Sequence, residues 1–427
     1  MKIINYLNKR YYLIFAFFYI TIIYSLYSEE SSLAGAKHDY LHHLKFILLF
    51  KENSIHEGLK LFGEAGYEVR NSPFFYIIFG FLNKYFSLNI LQILNSTVSV
   101  FIAFGFFKCL KLKYKNNSNI SLSFIACIVF LSPTVRSLSA WPYPLIWGLF
   151  FFIVSIYFYL KFLNSNSIDD KYKFSLVTTI FLCLASYIHP TLSFFNFYYL
   201  FNFNKYFKFS RFLHIIILNI IFTIPLLYFI ANHGLLFFYK AEGIELNIST
   251  SLNIFNKIII ISSIILFYSM PLLSIEELIK KTVKKIEIKF LIVALIFTML
   301  ASFNFNYPYT ELYGGGFFHK FSYLIFGNFI FLFFVFFITL ILYYSIFDKK
   351  INNYLLYFII IFTNIQYTIY NKYYDILVLI LFFLLFEINL KKHFFSKKFS
   401  IVLMYIVYFF YYLITVYKSE ILLLIKN

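Results

Sequence analysis

One short stretch, KHDYLHHLKF at residues 37–46, concentrates side chains that can transfer protons. It contains one carboxylate, Asp39, together with three histidines and two lysines. Carboxylates and imidazoles serve as general acids and bases, because they exchange protons at accessible pH. The chain has five aspartates, and Asp39 is the one with such neighbours. We therefore predict that Asp39 is a catalytic base, with His38 and His42 as substrate-binding residues beside it.

A helical wheel separates this stretch into two faces. The polar arc contains His38, Asp39, His42 and Lys45, with His43 at its edge and Phe46 as its only apolar member. The apolar arc contains Tyr40, Leu41, Leu44, Ile47 and Leu48. This pattern predicts an amphipathic helix that lies in a membrane surface and turns Asp39 toward water or a cavity. A simpler interpretation of the histidines is the solvated face of such a helix.

The composition indicates which solvent surrounds this helix. Of the 427 residues, 61% are hydrophobic and 24% aromatic, and the mean hydropathy is +0.77. A water-soluble globule cannot bury that much apolar surface, so the sequence predicts an all-α, polytopic integral membrane protein. We interpret residues 1–427 as a single membrane domain with about 13 transmembrane helices, within a range of about 11–14.

The predicted spans are apolar runs long enough to cross a hydrocarbon layer of about 30 Å. They are 11–27, 88–109, 119–136, 143–163, 174–189, 190–203, 211–231, 255–274, 289–304, 322–346, 354–371, 374–391 and 399–418. The first run could also be a signal peptide, but it is long, aromatic and without a clear small-residue cleavage site. We therefore treat it as an anchor.

The net charge of +18 raises the possibility of a nucleic-acid partner. Most basic residues, however, fall in short connectors that share one side of the membrane if the N-terminus is cytoplasmic. The positive-inside rule explains this distribution, so we expect no nucleic-acid partner. The three cysteines show no metal or disulfide spacing. The predicted location is the cytoplasmic (inner) membrane of a cell.

The connector at residues 28–87 is long and charged, and this topology places it outside the cytoplasm. We predict a catalytic loop with two surface helices, at about 38–50 and 73–86, which border a cavity. Between them Glu64, Glu68 and Arg70 are candidate substrate-binding residues. Arg136, at the outer end of the third span, should lie within about 15 Å of Asp39, because one sugar phosphate must reach both.

Three later outer segments supply further candidates for substrate binding, each with a simpler alternative. His189, in SYIHPT, could also be an interfacial residue at the end of a span. ELYGGGFFHK, residues 311–320, holds a triple glycine with His319 and Lys320, and could also be a flexible turn. YNKYYD, residues 370–375, places Lys372 beside an aspartate with which it could form an ion pair.

The order of these features resembles the membrane glycosyltransferases of the GT-C fold, which include protein mannosyltransferases and aminoarabinose transferases. The likeness lies in a first-loop acid, then SPFFYIIFGFLNKYF at 72–86, then FLSPTVRSLSAWPYPLIWGLFFF at 130–152. In that superfamily a first-loop Asp or Glu is the proposed base, and Asp39 matches it. The second acid usual there is replaced by Lys37 and His38. The resemblance implies a sugar donor carried on polyprenyl phosphate or diphosphate.

The residues alone are compatible with the same chemistry. Glycosyl transfer to a hydroxyl needs a base for the acceptor proton, while a phosphate departs without a general acid. Arginine suits the phosphate because its planar guanidinium donates two parallel hydrogen bonds. We therefore expect a lipid-linked sugar donor, a glycan or lipid acceptor and membrane lipids as partners, and no metal or other cofactor.

Other functional classes remain open at the level of sequence. An O-antigen or capsule polysaccharide polymerase also acts outside the membrane on diphosphate-linked repeat units, although its large loop usually comes later in the chain. A lipid-linked sugar transporter would show two similar halves and glycine- or proline-broken spans near the membrane midplane, and neither is evident. A non-enzymatic scaffold would not need rare charges concentrated on one face.

Overall fold

The computed structural model describes residues 10–30, 36–64, 72–233, 253–272, 287–310, 314–347, 350–364, 368–388 and 398–417. Within these ranges the chain forms 18 α-helices and short 3-10 segments, and the predicted all-α class is confirmed. The one β-type contact among the described residues is a parallel bridge between Gly314 and Ile369.

The chain divides into two compact units. Unit 1 comprises residues 1–243 and 405–427, and unit 2 comprises residues 244–404. The apolar pattern is interrupted before the second unit, since the sequence from 232 to 253 contains glycine, lysine and glutamate between two long apolar runs. Each unit has its own packed interior and is described by itself.

Unit 1 contains eleven of the described helices and the end of the last one. These are α1 (Tyr12–Tyr27), α2 (Ala36–Glu52), α3 (Ile55–Glu64), α4 (Phe74–Leu82), α5 (Leu88–Lys113), α6 (Asn119–Cys127), α7 (Pro133–Ala140), α8 (Pro144–Asn164), α9 (Ile168–Ile188), α10 (Phe195–Asn204) and α11 (Phe209–His233). Helices α5, α8 and α9 pack side by side as its centre, with aromatic pairs such as Phe158 and Phe181, whose rings stack at 5.7 Å. Helix α1 lies against α5 and α7.

The structure has a helix at each of the two predicted positions in the first loop, α2 and α4, and α3 is an additional short helix between them. Helix α4 approaches α2 at Gly80, where a Cβ atom would lie 2.9 Å from the carbonyl oxygen of Ile47. Such contacts are too close for any larger residue, so this glycine allows the two helices to touch. The first loop is therefore a packed layer of three helices.

The third predicted span, 119–136, is broken. Helix α6 and a 3-10 turn end at Leu131, and α7 then leaves at an angle of 65°. Pro133 has no N–H to continue the helical ladder, and the Ser132 hydroxyl accepts from the Val135 N–H as a new helix cap. This break redirects the segment that carries Arg136.

The far end of α7 is fixed by the fully buried side chain of Asn95 on α5. Its amide nitrogen donates to the carbonyl oxygens of Leu138 and Ser139, at 2.8 and 2.9 Å. Its oxygen accepts from the Trp147 indole at 3.0 Å. One amide thus satisfies two of the carbonyl groups that every helix end leaves open.

Unit 2 contains the remaining helices. These are α12 (Ile254–Ser269), α13 (Ile288–Phe303), α14 (Gly316–Phe326), α15 (Ile330–Phe347), α16 (Ile351–Phe362), α17 (Asp375–Leu384) and α18 (Lys398–Val416), the last of which ends in unit 1. Helix α12 is central, with contacts to α13, α14, α15, α16 and α17. Its Ile259 belongs to a buried cluster with Ala301, Leu332 and Phe336, and further aromatic residues, among them Phe297, Phe305, Phe318 and Phe333, pack against this cluster.

Four helices of the described chain are long and apolar enough to cross a membrane. They are Leu88–Lys113, Pro144–Asn164, Phe209–Asn232 and Ile330–Phe347, and the bent pair of α6 and α7 makes a fifth if it counts as one span. Other predicted spans correspond to shorter helices, as at 354–371, where α16 ends at Phe362. The structure is thus consistent with a membrane protein that has several apolar helices.

Replacing Asn95 with alanine should destabilise unit 1. The Leu138 carbonyl and the Trp147 indole would lose their partners in a buried place, at a cost of about 2–4 kcal/mol, while the Ser139 carbonyl would keep the Ser96 hydroxyl. Ser99→Ala is a matched control, because Ser99 is equally buried on α5 but bonds only to Ser96 of its own helix. Thermal unfolding of the purified protein in detergent measures both variants, and equal midpoints would contradict the role given to Asn95.

Candidate functional site

Arg136 of α7 forms a buried ion pair with Glu30, the residue that follows the turn at the end of α1. The guanidinium Nε lies 3.0 Å from each Glu30 carboxylate oxygen, and Nη2 lies 2.7 Å from Oε2. The two side chains are only 9% and 11% exposed. This two-nitrogen geometry is the strongest kind of arginine–carboxylate contact.

Further contacts enclose the same guanidinium within unit 1. Nη1 donates to the Thr21 hydroxyl at 3.3 Å, and Nη2 donates to the Ser25 hydroxyl, both on α1. The ring of Tyr412 on α18 covers the guanidinium carbon at 4.8 Å, a cation–π distance. Arg136 therefore connects the ends of α1, α7 and α18.

The backbone at the end of α1 directs Glu30 toward Arg136. Glu29 adopts a left-handed conformation with φ of 49°, which is uncommon for a residue with a side chain. The N–H of Glu30 then donates to the Ser25 carbonyl at 2.9 Å, and the N–H of Glu29 to that of Leu26. This is the Schellman arrangement that closes many helices, with a glutamate in the place usually taken by glycine.

Sequence analysis did not identify Glu30, although a signal was present. Glu29 and Glu30 directly follow the first apolar run, and Arg136 ends the third, so opposite charges stand at span ends on the same predicted side. Arg136 was predicted to bind substrate phosphate. In the structure its Nε and Nη2 atoms already donate to a carboxylate.

The helix that carries Asp39 begins against this charged centre. The Trp141 indole, just after α7, donates to the Glu30 carbonyl at 3.1 Å. The ring of Tyr40 lies 5.4 Å from that of Trp141, and the Lys37 ammonium lies 5.4 Å from the same indole. Asp39, which stands between Lys37 and Tyr40 in the sequence, is half-buried. The predicted base thus belongs to a segment packed next to the Arg136–Glu30 pair.

The buried face of α2 differs from the one that the helical wheel predicted. Tyr40 and Ile47 are buried as expected, but His43 and Phe46 are buried too, while Leu41 is 53% exposed. His43 lies inside because its Nδ1 forms a 2.6 Å hydrogen bond with the Tyr76 hydroxyl of α4. A polar side chain can be buried when a partner satisfies it, which sorting by polarity alone does not foresee.

The other first-loop candidates lie apart or outside the described ranges. His38 and His42 contact each other through their Nε2 atoms at 3.3 Å on the outer part of α2. Glu64 is exposed at the end of α3, and Glu68 and Arg70 lie outside the described residues. Within the described ranges, no group of three or more His, Cys, Asp or Glu side chains is placed to hold a metal ion.

His189 lies in the interior of unit 1, at the end of α9. Its Nδ1 forms a hydrogen bond with the Thr191 hydroxyl in the following 3-10 turn. Helix α8 approaches it closely, since a Cβ on Gly148 would stand 2.8 Å from the His189 Cβ. The structure therefore gives His189 a packing contact with α8, and its substrate-binding role stays a prediction.

In unit 2 the structure brings together the two later loops singled out in the sequence. Gly314 forms the bridge to Ile369, and the N–H of Gly315 donates to the Ile369 carbonyl at 2.8 Å. The three glycines all have φ between 81° and 90°, a region that other residues avoid. Lys372, from the second loop, lies over the rings of Tyr370 and Tyr373, and Lys320 is half-buried.

His319, one turn into α14, is almost completely buried among aromatic rings. Its ring stacks on Phe329 at 4.8 Å and meets the edge of Tyr307 at 5.4 Å. Neither ring nitrogen has a hydrogen bond of good geometry. Burial lowers the pKa of His319 to about 4. The Tyr307 backbone acts in the opposite direction and raises this pKa, whereas the positive charge of Lys320 lowers it further. His319 is therefore a neutral imidazole at physiological pH.

Replacing Glu30 with glutamine should destabilise unit 1 far more than the same change at its neighbour Glu29. Glu30→Gln leaves the Arg136 charge buried without its carboxylate, at a cost of about 3–5 kcal/mol. Glu29 pairs with Lys37 at the surface, where both side chains are more than half exposed, so Glu29→Gln should cost about 0–1 kcal/mol. Thermal unfolding in detergent compares the two, and similar midpoints would show that the buried pair is not stabilising.

The stability of unit 2 should decrease as the solution becomes acidic. Between pH 6.5 and 4 the unfolded chain protonates His319 while the folded chain does not, so stability falls by about 3 kcal/mol across this interval. Below pH 4 this group adds no further loss. Calorimetry in detergent at several pH values measures the effect, which His319→Leu should remove and His56→Gln, at an exposed histidine, should leave unchanged.

Comparison with known proteins adds no relative to this description. No family model matches the chain, and no match was found among curated proteins or solved structures. The candidate site therefore rests on the residues and contacts of this chain alone.

Proposed function

We propose that the protein is a membrane glycosyltransferase of the GT-C type, which moves a sugar from a polyprenyl phosphate or diphosphate carrier to an acceptor hydroxyl. The observation that carries the proposal is the packing of the Asp39 helix against the buried Arg136–Glu30 pair, through Trp141. It supports the proposal because a carboxylate and a fixed cation in one region are what such a transfer requires.

Asp39 is the proposed base. Glu30 is a carboxylate in the same region, but both of its oxygens accept N–H groups from Arg136, and a carboxylate so engaged is a poor proton acceptor. Asp39 lies half-buried on the first turn of α2, next to the buried Tyr40. An acceptor hydroxyl beside α2 would give up its proton to Asp39 as the glycosidic bond forms.

The donor phosphate requires cations, for which several residues are proposed. Arg136 would contact the phosphate with its Nε and Nη2 donors if the phosphate replaced Glu30. Within unit 1, Arg70, His189, His38, His42, Glu64 and Glu68 remain proposed substrate contacts. His319, Lys320 and Lys372 belong to unit 2, and their substrate-binding role stays a prediction. In this scheme the pair with Glu30 holds Arg136 in place before the donor arrives.

The proposed topology explains why the donor is a lipid. With about thirteen spans and a cytoplasmic N-terminus, the first loop and Arg136 face the outer side of the cytoplasmic membrane. Nucleotide sugars stay in the cytoplasm, so a sugar used outside must cross on a membrane lipid. The products would be cell-surface polysaccharides or glycolipids. The runner-up function is a polysaccharide polymerase that joins diphosphate-linked repeat units.

Replacing Asp39 with asparagine should lower the rate of sugar transfer by about a hundredfold or more. The base is lost while the shape of the side chain remains. Glu52→Gln is the matched control, since Glu52 is an exposed carboxylate at the other end of α2. The measurement is the surface glycan profile of cells in which the variant replaces the native protein, with membrane levels checked by immunoblot.

The result discriminates between the carboxylates of this region. Wild-type glycan in cells carrying Asp39→Asn would exclude Asp39 as the base. If Glu30→Asp then removed the glycan from a protein that still inserts normally, Glu30 would take that role. Products with shortened chains, in place of a missing sugar, would favour the polymerase.

A further inference from the structure

Two histidines on the outer part of α2 face each other across one helical turn. His38 and His42 are four residues apart, so their side chains lie on the same face of the helix. Their Nε2 atoms are 3.3 Å apart, and the two rings meet edge to face at an angle of 81°. The helix itself therefore holds two imidazole nitrogens close together.

The distance between these nitrogens is long for a hydrogen bond and normal for two metal ligands. An N–H donor in a protein usually lies about 2.7–3.2 Å from its acceptor. Two imidazole nitrogens that bind one tetrahedral Zn²⁺, each at about 2.0–2.1 Å from the ion, are separated by about 3.3–3.4 Å. The His38 and His42 nitrogens thus already have the separation that such an ion requires.

The pair is accessible from water. His38 is exposed and His42 is half-buried. Natural zinc sites also use two histidines four residues apart on one face of a helix. A pair supplies fewer ligands than the groups of three considered above, so water would fill the remaining positions, as it does in zinc sites that stay open to solvent.

The charges around the pair are compatible with a bound cation. Lys37 forms an ion pair with Glu29, which compensates its charge. Lys45, one turn beyond His42 in α2, is exposed, so water and salt screen its repulsion of an ion. Asp39 adds a carboxylate directly after His38.

We propose that His38 and His42 form a two-ligand site for a divalent transition-metal ion of the Zn²⁺ type. Each imidazole carries its proton on Nδ1 and offers the Nε2 lone pair to the ion. Imidazole ligands suit Zn²⁺, Cu²⁺ and Ni²⁺, whereas Mg²⁺ and Ca²⁺ prefer oxygen. The inference does not depend on the proposed sugar transfer, and it departs from the expectation of a chain without metal.

Zinc titration of the full-length protein, without an affinity tag and in detergent, tests the site. Metals are first removed with EDTA, and the EDTA is then dialysed away. Isothermal titration calorimetry should show Zn²⁺ binding that His38→Gln and His42→Gln each weaken by at least about tenfold. Loss of a group that only supports a ligand already costs about 10–100-fold in affinity, so loss of a ligand itself should cost no less.

His56→Gln is the matched control, because His56 is an exposed histidine on the neighbouring helix α3. Its affinity for Zn²⁺ should equal that of the wild type. Absence of binding to the wild type would overturn the proposal, as would wild-type affinity in either His38→Gln or His42→Gln.

Copper(II) provides a second readout, which the wild type alone can give. Imidazole binds Cu²⁺ well, and electron paramagnetic resonance counts the nitrogen atoms bound to the ion. With one equivalent of Cu²⁺ the wild type should show two imidazole nitrogens, and His42→Gln should show one. A wild-type spectrum with a single imidazole would mean that the two histidines do not bind one ion together, and it would overturn the proposal.

Discussion

The ion pair between Arg136 and Glu30 organises unit 1. A guanidinium that is 9% exposed can exist only if its charge is met, and the carboxylate that meets it comes from a different helix end. The left-handed Glu29, the break at Pro133 and the amide of Asn95 each place one side of this contact. The Asp39 helix then packs against Trp141, whose indole is fixed by the backbone of Glu30. The proposed active site is therefore built outward from one pair of charges.

Local patterns in the sequence were sufficient for the class of fold and for the helices of the first loop. The predicted helices at 38–50 and 73–86 correspond to Ala36–Glu52 and Phe74–Leu82. The first stretch contains no helix-breaking glycine or proline, and Pro73 stands at the start of the second. The rotation of the first helix was not predictable in this way. His43 is buried only because the hydroxyl of Tyr76, thirty-three positions later, satisfies it. Such a partner is invisible to a helical wheel.

The roles of the charged residues are even harder to predict from local sequence patterns. The sequence shows Glu30 only as one of two glutamates at the end of an apolar run. Its burial depends on α7, a helix distant in the chain. His319 was a candidate in the sequence because it follows the triple glycine at 314–316. In the structure its ring is enclosed by aromatic residues from two other segments. Tertiary contact, and not residue type, distinguishes a buried charge from a surface one.

The separation of the paired charges along the chain has a consequence for biosynthesis. Glu30 and Arg136 are 106 residues apart. At about 5–20 residues per second, a ribosome needs roughly 5–20 s to reach the arginine after it has made the glutamate. During that interval the carboxylate at the end of α1 must stay in water, because no guanidinium yet exists to accompany it into the interior. The first helix therefore cannot reach its final packing against α7 until α7 has been made, and a nascent chain that stops before Pro133 would hold α1 in an immature position.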